Sequence, residues 1–243
     1  MLDPRRFVAV FLVWIFILEI RQGYFKQVIP YFKQFAWQKY LAAFLAAFAL
    51  AFLMTQADPY LYPLVHDSPN PLLMKMNDMG RILGHNSHFW MVLVLLYFAA
   101  YLSRRAALKA WVFGSVMSSA LTGVMGQSLK FILLRARPFM DLGPFSFFNL
   151  KGWMGNDGFQ SMPSGDVSIL SGGFLYLAFS VNNLFLRFVL ILFPLCSVVY
   201  RIKEAKHWPS DTLLSFSIGL IVVCLIKQYE RFRSSQKEIP AIV

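Results

Sequence analysis

Apolar residues fall into long runs along this chain, separated by short polar flanks. A helix needs about 20 mostly apolar residues to cross a bilayer. Six stretches approach that length: residues 37–56, 88–103, 107–128, 167–182, 184–200 and 211–227. Several have purely apolar cores that are shorter, so their ends must include interfacial Trp, Tyr, Lys or Arg; Trp37, Tyr40 and Tyr101 suit such places. The pattern predicts an all-α protein, a six-transmembrane helical bundle.

Residues 7–20 are also apolar and follow Arg5-Arg6, but Glu19 and Arg21 come next and no small-residue cleavage site follows, so this is not a removed signal segment. Residues 21–39 mix Arg21, Lys26, Lys33 and Lys39 with Tyr24, Phe25, Phe32 and Phe35, which suits an amphipathic helix lying in the interface. Residues 1–36 therefore read as an N-terminal interfacial arm, with a seventh span as the competing reading. Residues 37–232 form one transmembrane domain and 233–243 a tail. Two long loops, 57–87 and 136–163, hold most of the Pro, Gly, Asn and Asp. Asn182-Asn183 makes a tight turn.

Composition agrees with a membrane protein: 58% of the 243 residues are hydrophobic and only 14% charged. The net charge of +11 is carried in flanks between apolar runs, which fits anionic lipid headgroups better than nucleic acid. Cys196 and Cys224 lie inside apolar runs and read as buried packing residues, and the four histidines show no metal-ligand spacing. No metal, cofactor or obligate protein partner is implied. If the loops alternate sides, 14 of the 23 Lys and Arg lie with residues 1–39, 103–109, 182–187 and the C-terminal tail, leaving nine opposite. The positive-inside rule puts the richer side in the cytoplasm.

A three-part polar pattern is set into the other side. Lys130 precedes Arg137-Pro138 by seven residues, a spacing that places both cations on one helix face, with Pro138 as the stop. Arg offers a planar fork for phosphate oxygens and Lys a point charge; the plain alternative is a pair of snorkelling interface cations. Pro163-Ser164-Gly165-Asp166 opens the next apolar run. A Ser-Gly turn at a helix N-terminus presents N–H groups and a hydroxyl to an anion, or is an ordinary N-cap. Arg201 is followed by His207 and, four residues on, Asp211. If that stretch is helical, the carboxylate neighbours the imidazole and can fix its tautomer for attack; otherwise this is an interfacial His with an Asp cap. Lys203 and Lys206 nearby read as solvent-facing.

Together these parts resemble the type 2 phosphatidic acid phosphatase superfamily, whose signature runs K-x6-R-P, P-S-G-H and S-R-x5-H-x3-D. Lys130, Arg137 and Pro138 match the first motif, Pro163, Ser164 and Gly165 the second, and Arg201, His207 and Asp211 the third. The resemblance implies an integral-membrane lipid phosphatase that works through a phosphohistidine. His207 would attack phosphorus, with Asp211 orienting it. Lys130, Arg137, Ser164, Gly165 and Arg201 would hold the phosphoryl oxygens without a metal. The lipid phosphates handled in this family include lipid A, undecaprenyl diphosphate, phosphatidic acid and phosphatidylglycerol phosphate; the first two are favoured. The location implied is a bacterial inner membrane, with the site facing the periplasm or exterior.

Two positions depart from the pattern. Tyr200 stands for Ser, and Asp166 stands for the histidine that protonates the leaving group. Free Asp has a pKa of about 3.9 against about 6.5 for His, so Asp166 is ordinarily an anion near neutral pH. Either bound phosphate makes it a catalytic acid, or the leaving group needs little protonation, or the protein is an impaired anion-binding relative. A lipid phosphotransferase of the same superfamily is the other rival. In the 139–162 loop, Phe145, Phe147, Phe148, Trp153 and Phe159 either dip into the outer leaflet or pack over the site.

Overall fold

The computed structural model describes residues 4–83 and 86–237. Residues 1–3 of the predicted arm, Gly84 and His85 of the first loop, and 238–243 of the predicted tail lie outside the described residues. Within them all regular secondary structure is helical, without strands. The α-helices are α1 Pro4–Arg21, α2 Val28–Gln34, α3 Trp37–Met54, α4 Asp58–His66, α5 Pro71–Leu83, α6 Asn86–Leu102, α7 Ala106–Leu133, α8 Gly165–Ser180, α9 Leu184–Lys203 and α10 Pro209–Lys237.

Four segments are long and apolar enough to cross a membrane singly: Trp37–Met54, Ala106–Met140, Leu184–Lys203 and Pro209–Gln236. α5 and α6 make a fifth only as a pair bent by 60°. The predicted span at 167–182 is the 16-residue α8, short because it is enclosed. It packs against α7, α9 and α10. Small residues permit that enclosure. A Cβ on Gly172 would stand 2.6 Å from Thr122 Oγ1 and 2.8 Å from the Ser118 carbonyl. On Gly219 of α10 it would stand 2.8 Å from Ser171 Cβ. Close backbone approach of this kind is how helices associate in lipid, where hydrophobic burial gives no drive. One apolar cluster gathers Ile15, Tyr97 and Phe113 with Tyr24 and Tyr31; a second gathers Tyr176, Leu214, Ile218 and Val223.

Four readings of the sequence change. The 57–87 region is not a loop but carries α4 and α5. Asn70 Oδ1 accepts from the Leu72 amide at 2.8 Å, a side-chain cap, and Pro71 sits at the first helical position, where its missing N–H costs nothing. Residues 21–39 are not one amphipathic helix. Turns follow Arg21, Gly23 adopts φ +75°, and only the seven residues of α2 are helical before α3 begins. Cys196 is buried, but Cys224 is exposed on the surface of α10. Lys203 does not face solvent freely: its Nζ donates to the carbonyls of His66 (3.2 Å) and Ser68 (2.9 Å), tying α9 to the α4–α5 linker.

The N-terminal helix α1 is docked on α6. Phe11 and Trp14 both meet Phe98, at ring distances of 5.4 and 5.1 Å. Buried Glu19 accepts from Tyr97 Oη at 2.6 Å and pairs with Lys109 at 3.1 Å. Residues 136–163 stay irregular as read, with short 3-10 turns at 138–140, 150–152 and 157–159.

Candidate active site

Three helix ends and one connector build the site. α7 does not run on to Pro138. It ends at Leu133, and Leu134 takes a left-handed conformation (φ 44°) that returns its amide to the Lys130 carbonyl at 3.1 Å. The chain then runs extended: the Ala136 amide bonds to Ser146 O and the Arg137 amide to Gly158 O, both at 2.8 Å. Pro138 favours the extended backbone seen at Arg137 (φ −77°, ψ 156°). Lys130 and Arg137 therefore do not share a helix face; the first is helical and the second is delivered by the loop.

Ser164 occupies the N-cap position of α8, after a cis Met162–Pro163 peptide, and Gly165 is the first helical residue. Ser164 does not cap with its side chain, and its buried Oγ has no hydrogen-bond partner. A Cβ on Gly165 would lie 3.6 Å from Lys130 Nζ, so this ammonium stands over the α8 N-terminus. Arg201, in the last turn of α9, has its guanidinium carbon 4.9 Å from the Tyr200 ring centroid. The Tyr200 side chain is buried where α5 comes closest: a Cβ on Gly80 would stand 2.6 Å from Tyr200 Cβ. Arg201 also forms an ion pair with Asp166 and lies 3.5 Å from Glu204.

His207 lies in the connector before α10, not in the helix, and is buried. Its Nδ1 is 2.7 Å from the Ser161 carbonyl. A carbonyl only accepts, so Nδ1 carries the proton and Nε2 keeps its lone pair. Burial lowers the imidazole pKa to about 4; Lys130 and Arg137 add to this and Asp211 opposes it. At neutral pH the ring is uncharged. Asp211 Oδ2 lies 3.7 Å from Nδ1, beyond hydrogen-bonding distance, so the expected direct contact is not what fixes the tautomer. That oxygen instead accepts from Ser161 Oγ (2.5 Å) and the Trp208 amide (2.8 Å).

The sequence-predicted residues Lys130, Arg137, Ser164, Gly165, Asp166, Arg201, His207 and Asp211 thus come together. Lys130, Arg137, Arg201, Asp166 and Asp211 are within electrostatic reach of one another. Buried Ser164 Oγ, Arg137 Nε and Arg201 Nε lack protein partners. Buried donors ordinarily find acceptors; three left open beside an ammonium and a helix N-terminus form a receptor for a tetrahedral oxyanion. Lys206 Nζ sits 5.1 Å from the Phe139 ring, at the edge of this region.

Of the loop aromatics, Phe159 is buried and Phe147 lies under the Arg135 guanidinium at 5.0 Å. Phe145, Phe148 and Trp153 are exposed, and Trp153 Nε1 donates to Phe131 O at 2.6 Å. Sequence reasoning missed Asp58, Arg135 and Ser161, all completely buried beside Asp211. Arg135 lay in view inside the seven-residue spacing, where burial of a second arginine has no periodic signal. Asp58 was hidden in the region read as loop.

In fold, the chain is similar to a transmembrane PAP2 type phosphatidylglycerolphosphate phosphatase from Bacillus subtilis. The TM-score is 0.60 over 80% of this chain and 96% of that one, at 19% identity. Comparison with curated protein sequences gives no match. The family model of the PAP2 superfamily matches residues 110–235, which hold all three helix ends and the connector, and the chain belongs to that superfamily.

Proposed function

We propose that the protein is an integral-membrane lipid phosphatase acting through a phosphohistidine on His207. The observation that carries this reading is the set of open buried donors, Ser164 Oγ, Arg137 Nε and Arg201 Nε, beside a neutral imidazole whose Nε2 keeps its lone pair. The lone pair of Nε2 attacks phosphorus as the bond to the lipid oxygen breaks. Lys130, Arg137, Arg201 and the α8 N-terminus take up the charge of the equatorial oxygens, the work a metal ion does elsewhere. Water then cleaves the N–P bond and releases inorganic phosphate.

Asp166 is engaged as an anion by Arg201 and is not poised as a free acid. This favours a substrate whose leaving group departs without a proton: a lipid diphosphate or an anomeric phosphate, as in undecaprenyl diphosphate or lipid A. Exposed Phe145, Phe148, Trp153 and Met154 beside the site suit a substrate held in the membrane surface.

In this reading α3, α6, α7, α8, α9 and α10 of the domain 37–232 span a bacterial inner membrane, and the site faces the periplasm. Residues 1–36 lie along the cytoplasmic surface. The contacts of α1 support that placement. Phe11, Trp14 and Glu19 all meet Tyr97 or Phe98, toward the C-terminal end of α6.

The test is phosphate release by purified protein from a panel of lipid monophosphates, diphosphates and anomeric phosphates. Diphosphate or anomeric substrates react fastest, vanadate inhibits and chelators do not. His207→Ala loses several orders of magnitude while remaining folded. Full activity of His207→Ala overturns the mechanism.

A further inference from the structure

We propose that Asp58 and Arg135 are positioning residues for His207, acting through Asp211 and Ser161; the proposal rests on the reading of His207 as the nucleophile. The Arg135 side chain is completely buried, and its guanidinium is committed on every side. Nε and Nη2 donate to Pro144 O at 2.9 and 2.7 Å, and Nη2 also meets Asp58 Oδ2 at 2.6 Å. Nη1 reaches Ser210 Oγ at 2.7 Å and Asp211 Oδ1 at 2.5 Å. The rings of Phe147 and Trp208 flank its carbon at 5.0 and 5.6 Å. Asp58, at the start of α4, completes the set: Oδ1 accepts from the Ser210 amide at 2.9 Å and Oδ2 from Ser210 Oγ at 2.5 Å.

The consequence runs to the imidazole. With Oδ1 held by Arg135, Asp211 turns Oδ2 toward Ser161 Oγ and the Trp208 amide. It thereby grips the residue whose carbonyl fixes Nδ1 and the peptide that follows the ring. A continuous chain, Asp58–Arg135–Asp211–Ser161–His207, links α4 to the imidazole ring at Nδ1. An ion pair that served only to join α4 to α10 would stop at Ser210. This one extends to the carboxylate that seats the nucleophile. A misplacement of 1 Å in a reacting group costs about 10²-fold in rate.

The chain also has a charge balance, two carboxylates against one guanidinium. His207 faces Lys130 from α7, Arg137 from the extended run after it, and Asp211 from α10, with Asp166 of α8 and Arg201 of α9 across the site. Removing the Asp58 charge makes the surroundings of His207 more positive and its protonation harder. Replacing Arg135 by Lys keeps the charge but abandons the fork that meets Asp58 and Asp211 together.

The experiment compares wild type, Asp58→Asn and Arg135→Lys in detergent, by steady-state kinetics against pH and by 15N NMR of His207. Asn keeps the acceptor for the Ser210 amide. The expected results for Asp58→Asn are kcat lowered about tenfold, KM within about twofold, and the His207 titration moved to lower pH. Arg135→Lys lowers kcat while leaving that titration in place and mixing the two neutral tautomers. If Arg135→Lys does not fold, Asp58→Asn decides alone. Unchanged kcat and an unmoved His207 titration in a folded Asp58→Asn protein overturn the proposal. A fully active His207→Ala protein instead overturns the nucleophile reading, and the NMR titration still reports whether the chain positions the ring.

Discussion

His207 links the chemistry of the site to the stability of the protein. Its pKa in the folded state is about 4, against about 6.5 in an unfolded chain. Between those values the unfolded chain takes up a proton that the folded chain refuses, so stability rises with pH across this window and is lost on acidification through it. The effect is on the order of 3 kcal/mol when complete. Melting in detergent from pH 4 to 7 shows it: wild type loses stability toward the acid end more steeply than His207→Gln, and parallel curves contradict it. On the proposed mechanism the acid limb of kcat/KM reports the same group, because the imidazolium has no lone pair with which to attack. The H-x3-D spacing brings His207 into view as the proposed nucleophile, but the contacts that hold it are not legible there. His207 and Asp211 stand four positions apart in the sequence, yet the ring's tautomer is set by Ser161, which is 46 positions distant along the chain. No local pattern announces a main-chain carbonyl as a partner.

Among the helices, apolar runs located α3, α6, α7, α8, α9 and α10, because residues in lipid or in a packed bundle must be apolar over their full length. Ends were harder. Lys130, Phe131, Ile132 and Leu133 continue the helical pattern, and nothing before Pro138 marks Leu134 as a left-handed stop. α5 was missed for another reason. Lys75, Asp78 and Arg81 make its outer face polar, so it fails a search for apolar runs, while its other face packs along α9 through Gly80. The helix-to-helix contact that matters most for the site is the small-residue seam between α7, α8 and α10, since it sets where Ser164 and Gly165 sit relative to Lys130. Gly172→Leu overpacks that seam against Thr122 and Ser118 and costs about 1–3 kcal/mol. The melting midpoint falls by several degrees, whereas Gly155→Asn, at an open loop position with φ +86°, leaves it nearly unchanged. Equal midpoints for the two variants contradict the seam's role.

At the scale of the molecule, the proposed orientation rests on the bias of Lys and Arg between the ends of the bundle. In a Cys224→Ser background, which removes the exposed native thiol, a cysteine at Met154 is labelled by an impermeant maleimide from the periplasmic side. A cysteine at Ser103 is labelled only after the membrane is opened. The reverse pattern moves the site to the cytoplasm.

The pairing of Arg201 with Asp166 has a consequence for the enzyme among its own products. A resident carboxylate competes with every anion that enters, and inorganic phosphate, the smallest of them, brings no lipid tail to help it win. On the proposed mechanism the site is tuned against retention: hydrolysed phosphate is expelled, and a compartment rich in phosphate does not stall the cycle. Phosphate inhibits the wild-type protein only weakly, and Asp166→Asn lowers its inhibition constant severalfold, up to about tenfold, since an ion pair at a partly exposed site is worth about 1 kcal/mol. The variant binds its product more tightly, and at high phosphate it turns over more slowly than the protein it came from.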